Sequence, residues 1–167
     1  MLDILYQAER MLPALLADGA GWNSIFIDYE EPYVERLWRT WGEYRINLHC
    51  ILPCSTGHAL FHPHPWPSAM RIVEHQYEMT VGYGVGDQEP PVAMRLVLPP
   101  GSVYEMTNPD GWHAVRPVSQ PVLTLMVTGK PWARSSPKSP QPLNPLSADR
   151  TREILSRFTR YYPDHSV

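Results

Sequence analysis

Alternating hydrophobic and polar residues divide most of the chain into short extended segments. Between residues 45 and 52, Ile46, Leu48, Cys50 and Leu52 fall on one face of an extended chain, because successive side chains of a strand point to opposite faces. Similar runs occupy residues 24–29, 69–81, 92–98, 112–116 and 122–128. Turn-forming Gly, Pro, Asn or Asp residues separate these runs, so the pattern predicts a β-sandwich or a small barrel.

Helical spacing appears near the two ends of the chain. Residues 2–18 carry leucines three and four positions apart, and Pro13 inside this segment predicts a kink or two short helices. Residues 147–162 begin with Ser147, a favourable N-cap. Their apolar stripe consists of Ile154, Leu155, Phe158 and Tyr162. We expect this second helix to dock on the outside of the β core or to form a dimer contact.

Five prolines lie within residues 131–145 and predict an extended strap between the barrel and the second helix. The sequence Pro137-Lys138-Ser139-Pro140 also has the form of a polyproline recognition motif. The predicted organisation is a single domain over residues 1–167. Its parts are an N-terminal helical segment (1–20), a barrel (33–130), a strap (131–146) and a C-terminal helix (147–162).

Composition supports an all-β fold and excludes several functions. The 19 prolines, 6 tryptophans and 9 tyrosines disfavour a helical bundle. A net charge of -3 argues against a dedicated nucleic-acid binder. The chain lacks an apolar run of about 18 residues and a basic, signal-like start, so we expect neither a membrane span nor a signal peptide. The two cysteines, Cys50 and Cys54, rule out a disulfide scaffold and favour a cytoplasmic location.

Histidines provide the candidate chemistry. His62 and His64 lie two residues apart in His62-Pro63-His64-Pro65-Trp66, so an extended backbone points both rings to the same side. Two such imidazoles can share one metal ion at about 2.1 Å, and the intervening prolines keep the backbone extended. An exposed His-Pro loop without a ligand is the simpler alternative.

His113 is the best candidate for a third ligand. It follows the turn sequence Asn108-Pro109-Asp110-Gly111 and opens a predicted strand. If this strand lies beside the segment that carries His62 and His64, three imidazoles point into one cavity. Considered alone, His113 is more simply a buried histidine bonded to a backbone carbonyl.

The arrangement Gly57-x4-His62-x-His64, followed by Pro100-Gly101 and later by His113, resembles the two-motif pattern of the cupins. The resemblance covers residues 33–130. It implies an all-β, cupin-type double-stranded β-helix, a jelly-roll barrel with short N-terminal and C-terminal helices. It also implies one divalent metal ion (Fe, Ni, Zn or Mn, with Fe preferred) held by His62, His64 and His113, and a homodimer.

Two departures from the cupin pattern affect the ligand set. Ser68 and Ala69 stand where the first motif usually carries a glutamate, so the site resembles the three-histidine variant of cysteine-dioxygenase-like and diketone-cleaving cupins, unless Glu74 or Glu78 contributes. The second motif also fits Pro99-x-Gly101-x2-Tyr104-x3-Asn108, which puts Tyr104 in place of His113. We favour His113, because tyrosine is a poor ligand until it deprotonates near pH ~10.

Three neutral imidazoles leave the charge of a divalent ion uncompensated and its other positions open to anionic or chelating oxygen ligands. With iron, the site suits oxidative cleavage by dioxygen; with zinc, it suits hydrolysis or isomerisation. We therefore expect a metal-binding protein that acts on a small oxygen-rich or carboxylate-bearing molecule, as a dioxygenase. The alternative is a non-catalytic barrel that binds a small ligand and has a structural or vestigial metal.

Aromatic and polar residues near the histidines are the candidates for the substrate pocket. The candidate substrate-binding residues are Phe61, Trp66, Ser68, Arg71, Tyr77, Arg95 and Trp112. Glu78, as a general base, and Tyr104 are the candidate catalytic residues. The alternative for each aromatic residue is ordinary core packing, and for Glu78 it is a solvated position on a strand.

Overall fold

The computed structural model describes residues 1–135 and 137–164, which form ten strands and two α-helices. Ser136, within the predicted strap, and residues 165–167 lie outside the described residues. The strands are β1 (Asn23–Ile27), β2 (Val34–Trp41), β3 (Tyr44–Ile51), β4 (His62–Pro63), β5 (Ser68–Glu74), β6 (Tyr77–Tyr83), β7 (Val92–Leu98), β8 (Val103–Met106), β9 (Gly111–Pro117) and β10 (Val122–Thr128).

The strands form two antiparallel sheets. The larger has the order β1-β2-β3-β10-β5-β8 and the smaller has the order β4-β9-β6-β7. The jelly-roll fold predicted from the sequence is confirmed in these two sheets. The expectation of a sheet closed on itself is wrong for the described residues, because no ladder joins one sheet to the other.

Helix α1 (Leu2–Ala17) is continuous through Pro13, so the predicted pair of short helices does not form. Its face of Leu5, Leu12 and Leu16 is buried, and this packing compensates for the hydrogen bond that proline cannot donate. A single 3-10 turn (Gly19–Gly21) follows the helix. Neither helix in the described part of the chain is long and apolar enough to cross a membrane.

Helix α2 (Ala148–Tyr161) begins after Ser147, whose Oγ accepts a hydrogen bond from the backbone N of Arg150 at 3.2 Å. Ile154 and Phe158 are fully buried in the same apolar cluster as α1 and the larger sheet. The helix therefore docks on the outside of the β core of its own chain, the first of the two placements expected from the sequence.

The larger sheet is covered on both faces. On β3, Ile46, Leu48 and Cys50 pack in one cluster with the two helices. Ile51, which follows Cys50 and points to the opposite face, packs in a second cluster with Val115 of the smaller sheet. Because side chains alternate along a strand, the apolar stripe that identifies β3 in the sequence faces the helices, and the more polar positions face the space between the sheets.

The proline-rich segment crosses the opening between the sheets. The backbone N of Trp132 donates to the Pro65 carbonyl at 2.7 Å, and Arg134 donates to the carbonyl of Gly86 at 2.8 Å. At its other end, the carbonyl of Asn144 accepts from the backbone N of Phe26 on β1 at 2.8 Å. These contacts hold the segment against both sheets.

Replacing Phe158 with alanine is expected to lower the free energy of unfolding by about 3–5 kcal/mol, because a fully buried ring is lost and a cavity remains. Arg152→Ala on the exposed side of the same helix is the matched control, with an expected change within ~0.5 kcal/mol. Urea unfolding followed by circular dichroism measures both. Equal effects of the two substitutions would contradict the docking of α2.

Candidate metal centre

Pairing of β4 with β9 brings the histidines together. His62 lies directly opposite His113 across this antiparallel ladder, which confirms the predicted neighbourhood of the two segments. His64 follows two residues after His62 on the same side. His64 and His113 are buried, with 8% and 4% of their surface exposed. The ring of His113 therefore faces the interior.

The three rings have the geometry of a ligand set. Nε2 of His64 lies 2.9 Å from Nε2 of His113, and one nitrogen of each of the three rings lies within 4.8 Å of the others. Two ligand nitrogens at right angles around an ion, each about 2.1 Å from it, are about 3 Å apart. The cluster thus fits a divalent metal ion.

Hydrogen bonds orient two of the rings for this role. Nδ1 of His62 donates to the carbonyl of Leu60 at 3.0 Å, which leaves the Nε2 lone pair free. Nδ1 of His64 lies 3.1 Å from Oγ of Ser68. Such support of the outer nitrogen fixes ring orientation at metal sites. The buried Nδ1 of His113 has no hydrogen-bond partner among the described residues.

Burial keeps the imidazoles neutral. Burial, followed by the neighbouring imidazoles, holds the pKa of His64 and of His113 well below the usual value. Burial also lowers the pKa of His62. Neutral imidazoles present lone pairs at neutral pH, which is the form that binds a metal ion.

Tyr104, the alternative to His113, does not complete the cluster. Its hydroxyl lies 2.8 Å from the hydroxyl of Tyr77, and the Tyr104 ring centroid is 6.3 Å from that of His113. Burial raises the pKa of Tyr104 above its ordinary value, so the phenol stays protonated and is a poor metal ligand. His113 provides the third ligand nitrogen.

A cavity of about 360 Å³ lies beside the three histidines. Of the residues predicted to bind substrate, Trp66 and Tyr77 line it, and so does the candidate catalytic residue Tyr104. Most of the remaining wall is apolar, and residues of the strap contribute to the rim. The site combines a metal-binding cluster with a partly open space for a small molecule.

Three other predicted substrate-binding residues lie behind the cavity wall. Phe61 packs against Trp112 with 5.7 Å between ring centroids, and Nε1 of Trp112 donates to the carbonyl of Gly84. Ser68 is fully buried beside His64. None of the three lines the cavity. They support the site by packing or, for Ser68, by a hydrogen bond to a candidate ligand.

The remaining three predicted residues point away from the cavity. Glu78 is exposed and accepts a hydrogen bond from Arg116 at 2.7 Å, because Tyr77 points inward and its neighbour on the strand must point outward. Arg71 donates to Glu9 of α1, and Arg95 is exposed on the edge strand β7. Their assignment to the pocket is therefore corrected.

Arg36 and Thr124 border the cavity and were missed in the sequence, whereas His49 was expected there only as a substitute ligand or a supporting group. Nε of Arg36 donates to Nε2 of His49 at 2.9 Å, and Nδ1 of His49 then donates to Oγ1 of Thr124 at 3.2 Å. All three residues line the cavity. The signal for His49 was its position between the apolar residues Leu48 and Cys50, which puts it on the opposite face of β3.

Comparison with known proteins gives matches among solved structures. No protein-family model matches the chain, and no curated protein matches it. "FeII HppE" is 18% identical over 61% of this chain and 52% of that chain, with a TM-score of 0.46. Hydroxypropylphosphonic acid epoxidase from S. wedmorenis is 17% identical over 63% of this chain and 55% of the epoxidase chain, with a TM-score of 0.47. KdgF from Halomonas sp. is 10% identical over 63% of this chain and 87% of the KdgF chain, with a TM-score of 0.46.

The chain thus spans about half of the length of the HppE chain. The facing antiparallel sheets and the cluster of His62, His64 and His113 define a jelly-roll protein with a three-histidine site for a divalent metal ion. This fold and this site are the ones that the sequence resemblance to the cupins implies.

Untagged protein is expected to bind about one equivalent of divalent metal and to lose it in His113→Ala, because two imidazoles rarely hold an ion alone. His58→Ala is the matched control, since His58 is exposed and pairs with Glu31 outside the cluster. Inductively coupled plasma mass spectrometry measures the metal content. Metal retained in His113→Ala would exclude the site.

Ser68→Ala is expected to weaken metal binding about 10–100-fold, because His64 loses the group that orients its ring. Ser55→Ala, in the exposed loop before the histidines, is expected to leave the affinity unchanged. Competition with a chelator of known affinity measures both variants. Equal affinity of Ser68→Ala and the unmodified protein would show that Ser68 does not support the ligand.

Proposed function

We propose that the protein binds one divalent metal ion, preferably iron, and acts with it as a dioxygenase on a small oxygen-rich or carboxylate-bearing molecule. The observation that carries this proposal is the convergence of three neutral imidazoles on the wall of a cavity. The metal-binding cluster found among the described residues contains no carboxylate, so the charge of the ion is left for an oxygen ligand. The homodimer expected from the sequence remains part of this proposal.

The chain itself holds the ligand nitrogens and encloses the substrate. Leu60 and Ser68 fix the rings of His62 and His64, while Trp66 and the strap limit access of water. When bound, a ferrous ion would supply coordination positions for dioxygen and for an oxygen of the substrate. In this reaction dioxygen is the oxidant, the substrate is the reductant, and both oxygen atoms end in the product.

The Tyr77–Tyr104 pair is suited to donate a hydrogen bond to the substrate. The two hydroxyl groups lie 2.8 Å apart, and the contact between them uses one of their two protons. The other proton is available to an oxygen atom in the cavity, and burial raises the pKa of both phenols, so it is retained. We propose Tyr104 as the member that contacts substrate, since its ring lies near His113.

A binding protein without catalysis is the second candidate. The position of Glu78 favours it, because the carboxylate predicted as general base is exposed and paired with Arg116. The cavity would then hold a small ligand beside a structural metal ion. Both candidate functions require the metal ion and a bound small molecule. They differ in whether the small molecule is converted to a product.

Oxygen consumption separates the two candidates. The protein loaded anaerobically with Fe(II) and then given a panel of small hydroxy acids, oxo acids and diketones is expected to consume oxygen with at least one of them. His113→Ala is expected to lose this activity at least 100-fold, as about 3 kcal/mol of transition-state stabilisation corresponds to such a factor, and His58→Ala is expected to keep it. Bound iron without oxygen consumption across the panel would favour the binding protein.

A further inference from the structure

Arg36 places a positive charge in the wall of the cavity. It lies on the inner face of β2, and its side chain lines the cavity together with the three histidines. Its Nε donates to His49. No carboxylate forms an ion pair with Arg36 in residues 1–135 and 137–164, so its two terminal nitrogens are left without an acidic partner.

His49 orients the guanidinium without neutralising it. Nε2 of His49 accepts from Arg36, so the ring proton is on Nδ1 and is directed to Thr124. Burial, and then the charge of Arg36, keep the pKa of His49 well below its ordinary value. The imidazole is therefore a neutral acceptor, and the charge of the guanidinium remains uncompensated.

Three other arginines that pack against the larger sheet are paired with carboxylates. Arg71 binds Glu9, Arg150 binds Glu35 and Arg157 binds Glu74, all on the helix-covered face. Pairing of this kind is the usual condition for burying a charge. Arg36 lies on the opposite face of the sheet. Its guanidinium borders the cavity, whereas each of the other three contacts a carboxylate.

The charged groups at the rim do not compensate Arg36. Glu31 accepts from Nδ1 of His58 at 3.0 Å, and Glu30 is exposed. Lys138 of the strap also lines the cavity and is exposed to solvent. Among the described residues that line the cavity, Arg36 has the only guanidinium, and it is the protein cation that a bound molecule meets beside the histidines.

We propose that Arg36 recognises a carboxylate of the bound molecule, and that this molecule is a small monocarboxylic acid with an apolar body. The inference rests on the proposed function, which leaves a second oxygen of the molecule to the metal. A guanidinium whose Nε is occupied presents two terminal nitrogens, which match the two oxygens of one carboxylate.

The rest of the cavity fits the apolar body of such an acid. Its volume of about 360 Å³ is at the small end of ligand pockets. The apolar part of the wall includes Ile51, Met70, Val115 and Met126. Arg36 matches one carboxylate, the metal ion takes a second oxygen of the molecule, and the remainder of the molecule is held by apolar contact.

The test compares an acid with its isosteric neutral amide. Ligand-observed NMR titrations of the metal-loaded protein with 4-methylpentanoate and 4-methylpentanamide are expected to show about tenfold or greater preference for the acid. Arg36→Met is expected to reduce this preference several-fold, and the part that remains is the contribution of the bound metal ion. Arg45→Met, which removes an exposed neighbouring charge outside this cavity, is the matched control and is expected to retain the preference.

Metal-free His113→Ala separates this inference from the proposed function. If this variant keeps a preference for the acid that disappears with Arg36→Met, Arg36 recognition stands even where the metal chemistry fails. An unchanged preference in metal-loaded Arg36→Met would overturn the inference while leaving metal binding intact. Tighter binding of isopentylphosphonate than of 4-methylpentanoate would overturn the assignment to a monocarboxylate.

A second variant keeps the test decisive if Arg36→Met does not fold. Arg36→Lys retains the charge but loses the paired donors, so the preference for the acid is expected to fall several-fold. Thermal unfolding supplies an independent readout, because a ligand that binds the folded state raises the unfolding midpoint. The acid is expected to raise the midpoint of the unmodified protein more than that of Arg36→Lys, and an equal rise in both would contradict the inference.

Discussion

The two-residue ladder between β4 and β9 is the contact on which the whole site depends, since it sets His62 opposite His113. So short a ladder needs support from outside the sheet. The backbone N of Leu60 donates to the backbone carbonyl of Glu31 at 2.7 Å before the strand, and the Pro65 carbonyl accepts from the backbone N of Trp132 at 2.7 Å after it. Pro63 and Pro65 further restrict the backbone between these anchors. The alignment of the three rings is thus fixed from both ends.

Local pattern was sufficient to predict many strands and the ligand set. The runs at residues 92–98 and 122–128 coincide with β7 and β10, and the spacing of His62 and His64 identified the first half of the site. His113 required one further assumption, that its strand lies beside theirs. That assumption is about topology, and the family resemblance supplied it where spacing alone could not.

Residues outside local pattern were misplaced for identifiable reasons. Arg71 finds its partner Glu9 on a helix 62 positions earlier, a contact that no short-range signal contains. Arg36 was missed because the apolar stripe of the neighbouring strand β3 does not tell which face of the sheet borders a cavity. The two helices take that stripe, so the less hydrophobic face of the strand is the one that forms the cavity wall.

The larger sheet is covered on both sides, so one face of its strands packs against the helices and the other face borders the cavity. Leu48 and Leu125 hold the helices, while their neighbours His49 and Thr124 border the cavity. Exchanging a residue of the inner face therefore alters what the interior accommodates and leaves the helix contacts in place. A scaffold divided in this way can acquire new ligand preferences through single substitutions, with folding maintained by residues that the ligand never touches.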